Sequence, residues 1–177
     1  YTVTVSDANG CSASDDIMVT VNSNPTAAAG PDTSICAGDS VQLNAGGGMN
    51  YLWNSSAGLN NATISNPMAS PDSSMIYTVT VSDANGCSAG DDVMVTVNPL
   101  PFADAGNDII ICNGDSAALN ATGGISYAWS PPSGLSCANC QNPYASPAGN
   151  TTYTVTVTDA KGCSKTDDVL VEIVNSI

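Results

Sequence analysis

The chain of 177 residues carries two lysines, no arginine, no histidine and sixteen acidic residues, a net charge of −14. With no basic stripe it has nothing to neutralise phosphates, which argues against nucleic acid and anionic membrane surfaces as partners. Charged residues make up 10% and aromatics 5%, and the Gly, Ser, Thr, Asn, Pro and Ala that fill much of the remainder suit short strands joined by turns.

In chain order, Tyr1, Val3 and Val5 alternate with Thr2, Thr4 and Ser6, the period of two expected of a strand with one apolar face. Asp7-Ala8-Asn9-Gly10 supplies turn chemistry, and a return strand runs on towards Asn22. The Pro-bearing stretch VNSNPTAAAG then reads as a linker. Val41, Leu43 and Ala45 restore the alternation, Gly46-Gly47-Gly48 breaks it, and Tyr51 and Trp53 resume it. Between Asn54 and Ile76 the pattern is weak, and Pro67 and Pro71 exclude a central strand. Tyr77-Val79-Val81, the turn Asp83-Ala84-Asn85-Gly86 and Val93-Val95-Val97 form a second hairpin. A second linker, VNPLPFADAG, follows it, and the same order of elements begins again. No stretch reads as a helix.

The repetition is close to literal. YTVTVSDANGC begins at Tyr1 and Tyr77 and YTVTVTDAKGC at Tyr153, a gapless period of 76 that Cys36 and Cys112, Trp53 and Trp129, and Asn66-Pro67 and Asn142-Pro143 also keep. With the linkers, this predicts complete domains over 24–98 and 100–177, preceded over 1–22 by the C-terminal hairpin of an earlier copy. A lone hairpin is marginal in water. Its missing strands are expected from a longer array, of which this chain is an internal stretch, or from a neighbouring molecule. The chain has no initiator Met, signal peptide or run of about 20 apolar residues, which fits the same expectation.

Strands at short intervals, with a Trp in an early-middle strand and a Tyr opening the penultimate one, predict an all-β fold of tandem Ig-like antiparallel β-sandwich domains. Trp53 and Trp129 read as core plugs rather than sugar-stacking platforms. Tyr77 and Tyr153 stand either at a tyrosine corner or simply as inward aromatics at a strand start.

PDTSICAGDSVQLNAGGGMNYLWN and NDIIICNGDSAALNATGGISYAWSPPSGLSCANCQNPYASP, each followed by YTVTV-(S/T)-DA-x-GC, resemble the PKD-like (Ig-like) repeats of large Bacteroidota surface and secreted proteins, gliding-motility-type adhesins among them. The likeness covers essentially the whole chain through ICxGDS, YxW, NPxASP and YTVTVxDxxGC. It departs from the polycystic-kidney-disease domain proper where Asn54-Ser55-Ser56 and Ser130-Pro131-Pro132 replace the WDFGDG-type signature. The resemblance implies an extracellular spacer, stalk or adhesive module with no catalytic residues.

Seven cysteines in so lysine-poor a chain point to an oxidising compartment. Cys36 and Cys87, and likewise Cys112 and Cys163, are 51 residues apart within one copy, and one disulfide per domain is expected between them, worth on the order of 4 kcal/mol in the loop-closure model. Cys11, equivalent to Cys87, is expected to be left unpaired by truncation, a reactive thiol or an intermolecular bridge being the alternatives. Cys137 and Cys140 form a CxxC that the other copy lacks. With no helix to depress a thiol pKa and no His to complete a zinc site, a local disulfide pinning the loop is expected.

Fifteen of the sixteen acids are Asp, the short carboxylate favoured in turns and as a calcium ligand. Turn formation is the plainer expectation, and the sharper one is a calcium site where Asp83, Asp91 or Asp92 approaches Asp108. Asp39-Ser40-Val41 and Asp115-Ser116-Ala117 resemble the D-(S/T)-apolar O-glycosylation pattern known among Bacteroidota, making Ser40 and Ser116 candidate acceptors, unless these are plain Asp-Ser turns. Without His no Ser-His-Asp arrangement can be built, and adjacent Asp residues on a strand face opposite sides. The expectation is therefore no enzyme and no required cofactor. The sequence reads as a structural repeat of an extracellular or cell-surface filament, stalk or adhesin used in surface attachment. Its expected partners are further copies of the same repeat, with a surface glycan as a further candidate. A carbohydrate-binding or spacer module of a secreted hydrolase is the alternative.

Overall fold

The computed structural model describes residues 1–175, and these fold as strands and turns with no helix among them. In the first copy the strands are β3 (Thr33–Cys36), β4 (Val41–Gln42), β5 (Asn50–Asn54), β6 (Met68–Ala69), β7 (Met75–Ser82) and β8 (Ser88–Asn98). The second repeats them as β9 (Ile109–Cys112), β10 (Ala117–Ala118), β11 (Ser126–Ser130), β12 (Tyr144–Ala145), β13 (Thr151–Thr158) and β14 (Ser164–Val174). Ahead of both lie β1 (Thr2–Ser6) and β2 (Ser12–Asp16). Each copy forms a four-stranded sheet, β3-β8-β7-β5 or β9-β14-β13-β11, and a two-stranded one, β4-β6 or β10-β12. This is the tandem Ig-like, all-β arrangement: a hairpin extended on one side by the Trp strand and on the other by a short edge strand, faced by a second small sheet.

By compactness the chain divides into two units that cut across the sequence period. One contains Tyr1–Pro31, Gln42–Ala69 and Ile76–Val93, and the other Asp32–Val41, Ser70–Met75 and Met94–Ile177. In the second unit the core is built from alternate residues of both sheets: Ala117 and Leu119 from one side, Trp129, Tyr153, Val155, Val157, Val169 and Val171 from the other. Val155 and Val157 are fully buried while their neighbours Thr154, Thr156 and Thr158 are half-buried, as the period-two pattern requires. The corresponding Leu43, Trp53, Tyr77, Val79 and Val81 are buried as well.

The edge strand has no counterpart in the sequence reading. β3 runs parallel to the end of β8, from Thr33 opposite Val95 to Cys36 opposite Asn98, and β9 runs parallel to β14, from Ile109 opposite Val171 to Cys112 opposite Val174. Thr33–Cys36 and Ile109–Cys112 are too short to show a period. The weak stretch 54–76 also contributes a strand, β6, and it lies in the two-stranded sheet, where Pro67 needs only its carbonyl, which accepts the Leu43 N–H at 2.9 Å.

The hairpin β1-β2 shows what these partners supply. It keeps the antiparallel register Thr2↔Asp16 to Ser6↔Ser12, yet Val3 and Val5 are 61% and 66% exposed where the identical Val79 and Val81 are at 0%. Its return strand stops at Asp16, whereas β8 continues to Asn98.

Tyr77 and Tyr153 do not make a local tyrosine corner. Each hydroxyl donates to a carbonyl 20 residues upstream, Ala57 O or Ser133 O, at 2.9 Å, pinning the loop after the Trp strand. The Trp indoles close the other side of that loop by donating to Ile64 O and Cys140 O at 3.0 Å. The loop thus has the same two anchors in both copies, although only one carries a disulfide.

Burial pushes the Tyr77 and Tyr153 hydroxyls above their ordinary value of 10.0. The unfolded chain therefore ionises first, so this contribution to stability is complete below about pH 10 and is lost as the pH rises beyond it. Tyr153→Phe should cost about 1 kcal/mol near neutral pH through the lost hydrogen bond and flatten the alkaline loss, measured by urea unfolding across the pH range. Gly123 has φ +105° and a Cβ there would collide with Phe102 O, whereas Gly114, at φ +94°, faces open space. Gly123→Ala should therefore cost roughly 1–3 kcal/mol more than Gly114→Ala in the same assay.

Candidate functional site

Three of the four Asp residues that the sequence marks as possible ligands, Asp83, Asp91 and Asp108, are acceptors inside the fold. In the turn after β13, Asp159 Oδ1 accepts the N–H groups of Lys161 at 2.8 Å and Cys163 at 2.9 Å. Asp83 does the same for Asn85 and Cys87, and Asp7 for Asn9 and Cys11, all at 2.9 Å. These are Asx-type turns closed by a glycine at positive φ, Gly162 at 84° and Gly86 at 83°. Asp91 and Asp167 reach farther, accepting from Ala29 N and Ala105 N at 2.8 Å, and Asp32 and Asp108 accept from Met94 N and Leu170 N at 2.8 Å. Each pins a segment 62 residues away in sequence. Of the expected calcium grouping, Asp83, Asp91 and Asp92 belong to one unit and Asp108 to the other. No three His, Cys, Asp or Glu side chains among the described residues gather closely enough to hold a metal.

The cysteines correct the sequence reading more sharply. Cys36 is bonded to Cys163, with Cα atoms 5.5 Å apart, and Cys11, Cys87 and Cys112 are free. The expected pairs Cys36–Cys87 and Cys112–Cys163 are not made, and the parallel edge strand is the reason. Cys112 lies opposite Val174 at the end of β14, whereas Cys163 immediately precedes Ser164 at its start. The eleven residues of β14 hold the two apart by roughly 33 Å, and a disulfide needs Cα atoms within about 7 Å. The β3–β8 register imposes the same separation on Cys36 and Cys87. Cys137 and Cys140 are joined, with Cα atoms 5.9 Å apart, in the loop that receives the Trp129 indole. In the other copy Asn61 stands in place of Cys137, and its Oδ1 accepts both the N–H and the hydroxyl of Thr63 at 2.9 Å, bracing the same turn without sulfur.

A polar cavity lies beside the Cys36–Cys163 bond in the second unit. Lys161 Nζ donates to Asn98 Oδ1 at 2.9 Å, and Asn98, 6% exposed, is the buried polar side chain of the described residues. The cavity, of about 450 Å³, is lined by Ser34, Cys36, Gly38, Asp39 and Ser40 as well as Asn98 and Lys161. The sulfur of Cys36 in its wall is oxidised in the bridge, and its cation is hydrogen-bonded to an amide. What the arrangement does is tie the Asp32–Val41 segment to the β13–β14 turn. Ser40 and Ser116 are both exposed, each in the connection that follows its edge strand. The Lys161–Asn98 pair was missed by the sequence reading; its one available signal was a lysine where the other two copies of the turn have Asn9 and Asn85.

No family model matches the sequence, and no curated protein matches it. Among solved structures, the chain is similar to the PKD domain from KIAA 1837 protein at 27% identity, over 42% of this chain and 86% of that one, with a TM-score of 0.37. It is also similar to extracellular domains 3–5 of Drosophila OTK at 8% identity, over 98% of this chain and 70% of that one, with a TM-score of 0.45. A third likeness is to the insect immune protein hemolin at 14% identity, over 98% of this chain and 56% of that one, with a TM-score of 0.44.

Cys36→Ser should lower stability by on the order of 4 to 5 kcal/mol on the loop-closure model for so long a loop. Lys161→Met, which leaves the buried Asn98 amide unpaired, should cost about 1–3 kcal/mol. Both are read from urea unfolding with and without reductant, and the Cys36→Ser variant should show no further effect of reductant on that bridge.

Proposed function

We propose that the chain is a structural repeat of an extracellular filament, stalk or adhesin, its Ig-like modules over 24–98 and 100–177 serving to extend and space rather than to catalyse. The observation that carries this reading is the Cys36–Cys163 bond, a covalent cross-tie from one sequence copy to the next, which a spacer uses and a small-molecule site does not need. Disulfides persist in oxidising compartments, which supports a secreted or cell-surface location. The Asp-for-backbone ties, the buried Trp residues and the loops pinned at two anchors all spend chemically able side chains on holding shape.

Surface attachment would then belong to an element that the array carries. A carbohydrate-binding role would require exposed aromatic rings beside the loops. Tyr144, 61% exposed, is such a ring near the 130–142 loop, but Met68 replaces it in the other copy, so no platform recurs with the period.

Electron microscopy of material purified from the source cells should show fibres with a beaded repeat. Denaturing electrophoresis under reducing conditions should resolve them to a single very large polypeptide. A small protomer from the same fibres would overturn the tandem-array reading, and glycan binding lost in Tyr144→Ala would favour the binding module.

A further inference from the structure

The Cys36–Cys163 bond spans 127 residues, the spacing of the two cysteines within one copy lengthened by one period. It joins the cysteine that ends the edge strand of one copy to the turn cysteine of the next. Cys112 and Cys87 are the same two positions shifted by one period in opposite directions, and both are free thiols. We propose that these two are half-bridges. Cys112 bonds the turn cysteine of a further copy 127 positions on, and Cys87 bonds the edge-strand cysteine of a copy 127 positions before. A further copy of this repeat is therefore the covalent partner at each end. This deepens the tandem-array reading and rests on it for the existence of that copy.

Both half-sites are already shaped like the bonded ones. At Cys36, Ala37 N–H donates to Asn98 O at 2.8 Å, Asp39 N–H donates to Cys36 O at 3.0 Å, and Gly38 has φ 92°. At Cys112, Asn113 N–H donates to Val174 O at 3.0 Å, Asp115 N–H donates to Cys112 O at 3.0 Å, and Gly114 has φ 94°. The turn cysteines match as closely, since Asp83 holds the Cys87 N–H and Asp159 the Cys163 N–H, each at 2.9 Å. A thiol held in the backbone geometry of its bonded equivalent needs little further ordering to react. Pairing within a copy is barred by the length of β8 and β14. One polar feature does not carry over: Val174 stands in the place of Asn98 at the Cys112 half-site, and Asn85 in the place of Lys161 at the Cys87 half-site, so neither of these junctions repeats the Lys–Asn pair.

Closure is an oxidation. With glutathione disulfide as the oxidant, one cysteine thiolate attacks it and releases a glutathione thiolate. The second cysteine thiolate then displaces the other glutathione, leaving the protein disulfide and two reduced glutathiones. The two protons leave the two cysteine thiols and end on the two glutathione thiols.

The test compares this chain with one lengthened at its C-terminus by a further copy of residues 102–177. Both are folded in a glutathione disulfide buffer, and free thiols are counted by alkylation after denaturation. This chain should show three, on Cys11, Cys87 and Cys112. The lengthened chain should also show three: the added turn cysteine takes Cys112, and the added edge-strand cysteine becomes the new free one. Five free thiols would mean that no second bridge forms, and one would mean that each copy closes on itself; these and any other count overturn the proposal. A count of three from a source that yields only small protomers would instead overturn the array reading and leave the bridging rule intact.

Discussion

The parallel pairing of a four-residue edge strand onto the far half of the return strand governs much of the rest. Where β3 and β9 are present, the return strands β8 and β14 run for eleven residues. Where no such partner lies alongside, β2 runs for five, although Ile17-Met18-Val19-Thr20-Val21 is nearly identical to Val93-Met94-Val95-Thr96-Val97. The strand propensity is the same, so its context decides whether it is realised. The position of that pairing also places Cys36 and Cys112 at the end of the sheet remote from their own turn. Reversing so short a strand in place would move each cysteine by only about 10 Å, so the docking position of the edge strand on the far half of the return strand is what parts each cysteine from its own turn.

The acidic composition takes its meaning from the same economy of contacts. Asp83, Asp91, Asp32 and their equivalents one period on accept backbone N–H groups in turns and across long sequence gaps. A short carboxylate suits this because it ionises, accepts strongly and adds little side-chain entropy to lose. The charge of the chain is thus largely a by-product of how its loops are fastened.

What could be read from the sequence was whatever one residue and its near neighbours decide. Trp129, two residues from Tyr127 on the same strand face, had to be interior, and Asp159-Ala160-Lys161-Gly162 had to turn. The period of 76 made each reading hold twice. What could not be read depends on partners far along the chain. The direction of β9 is set by β14, the carbonyl that receives the Tyr153 hydroxyl is 20 residues upstream, and the partner of Cys36 lies in the next copy. Spacing within a copy was a poor guide to that bond, because sequence distance says nothing about which end of an eleven-residue strand a neighbour reaches. The Lys161–Asn98 pair was invisible for a further reason: it departs from the repeat, and a repeat-based reading looks for what recurs.

The Cys36–Cys163 bond also sets a load path. When the two ends of the chain are pulled, force entering at Tyr1 crosses from Cys36 to Cys163 through sulfur. The polypeptide between them, with a contour length on the order of 400 Å for a separation of 127 residues, is bypassed. Loss of the folded sheets inside that loop would then add no slack until the bond is reduced, so redox chemistry decides whether that length is released, while the hairpin β1-β2 and the strand β14 lie outside the loop and hold by their own pairing.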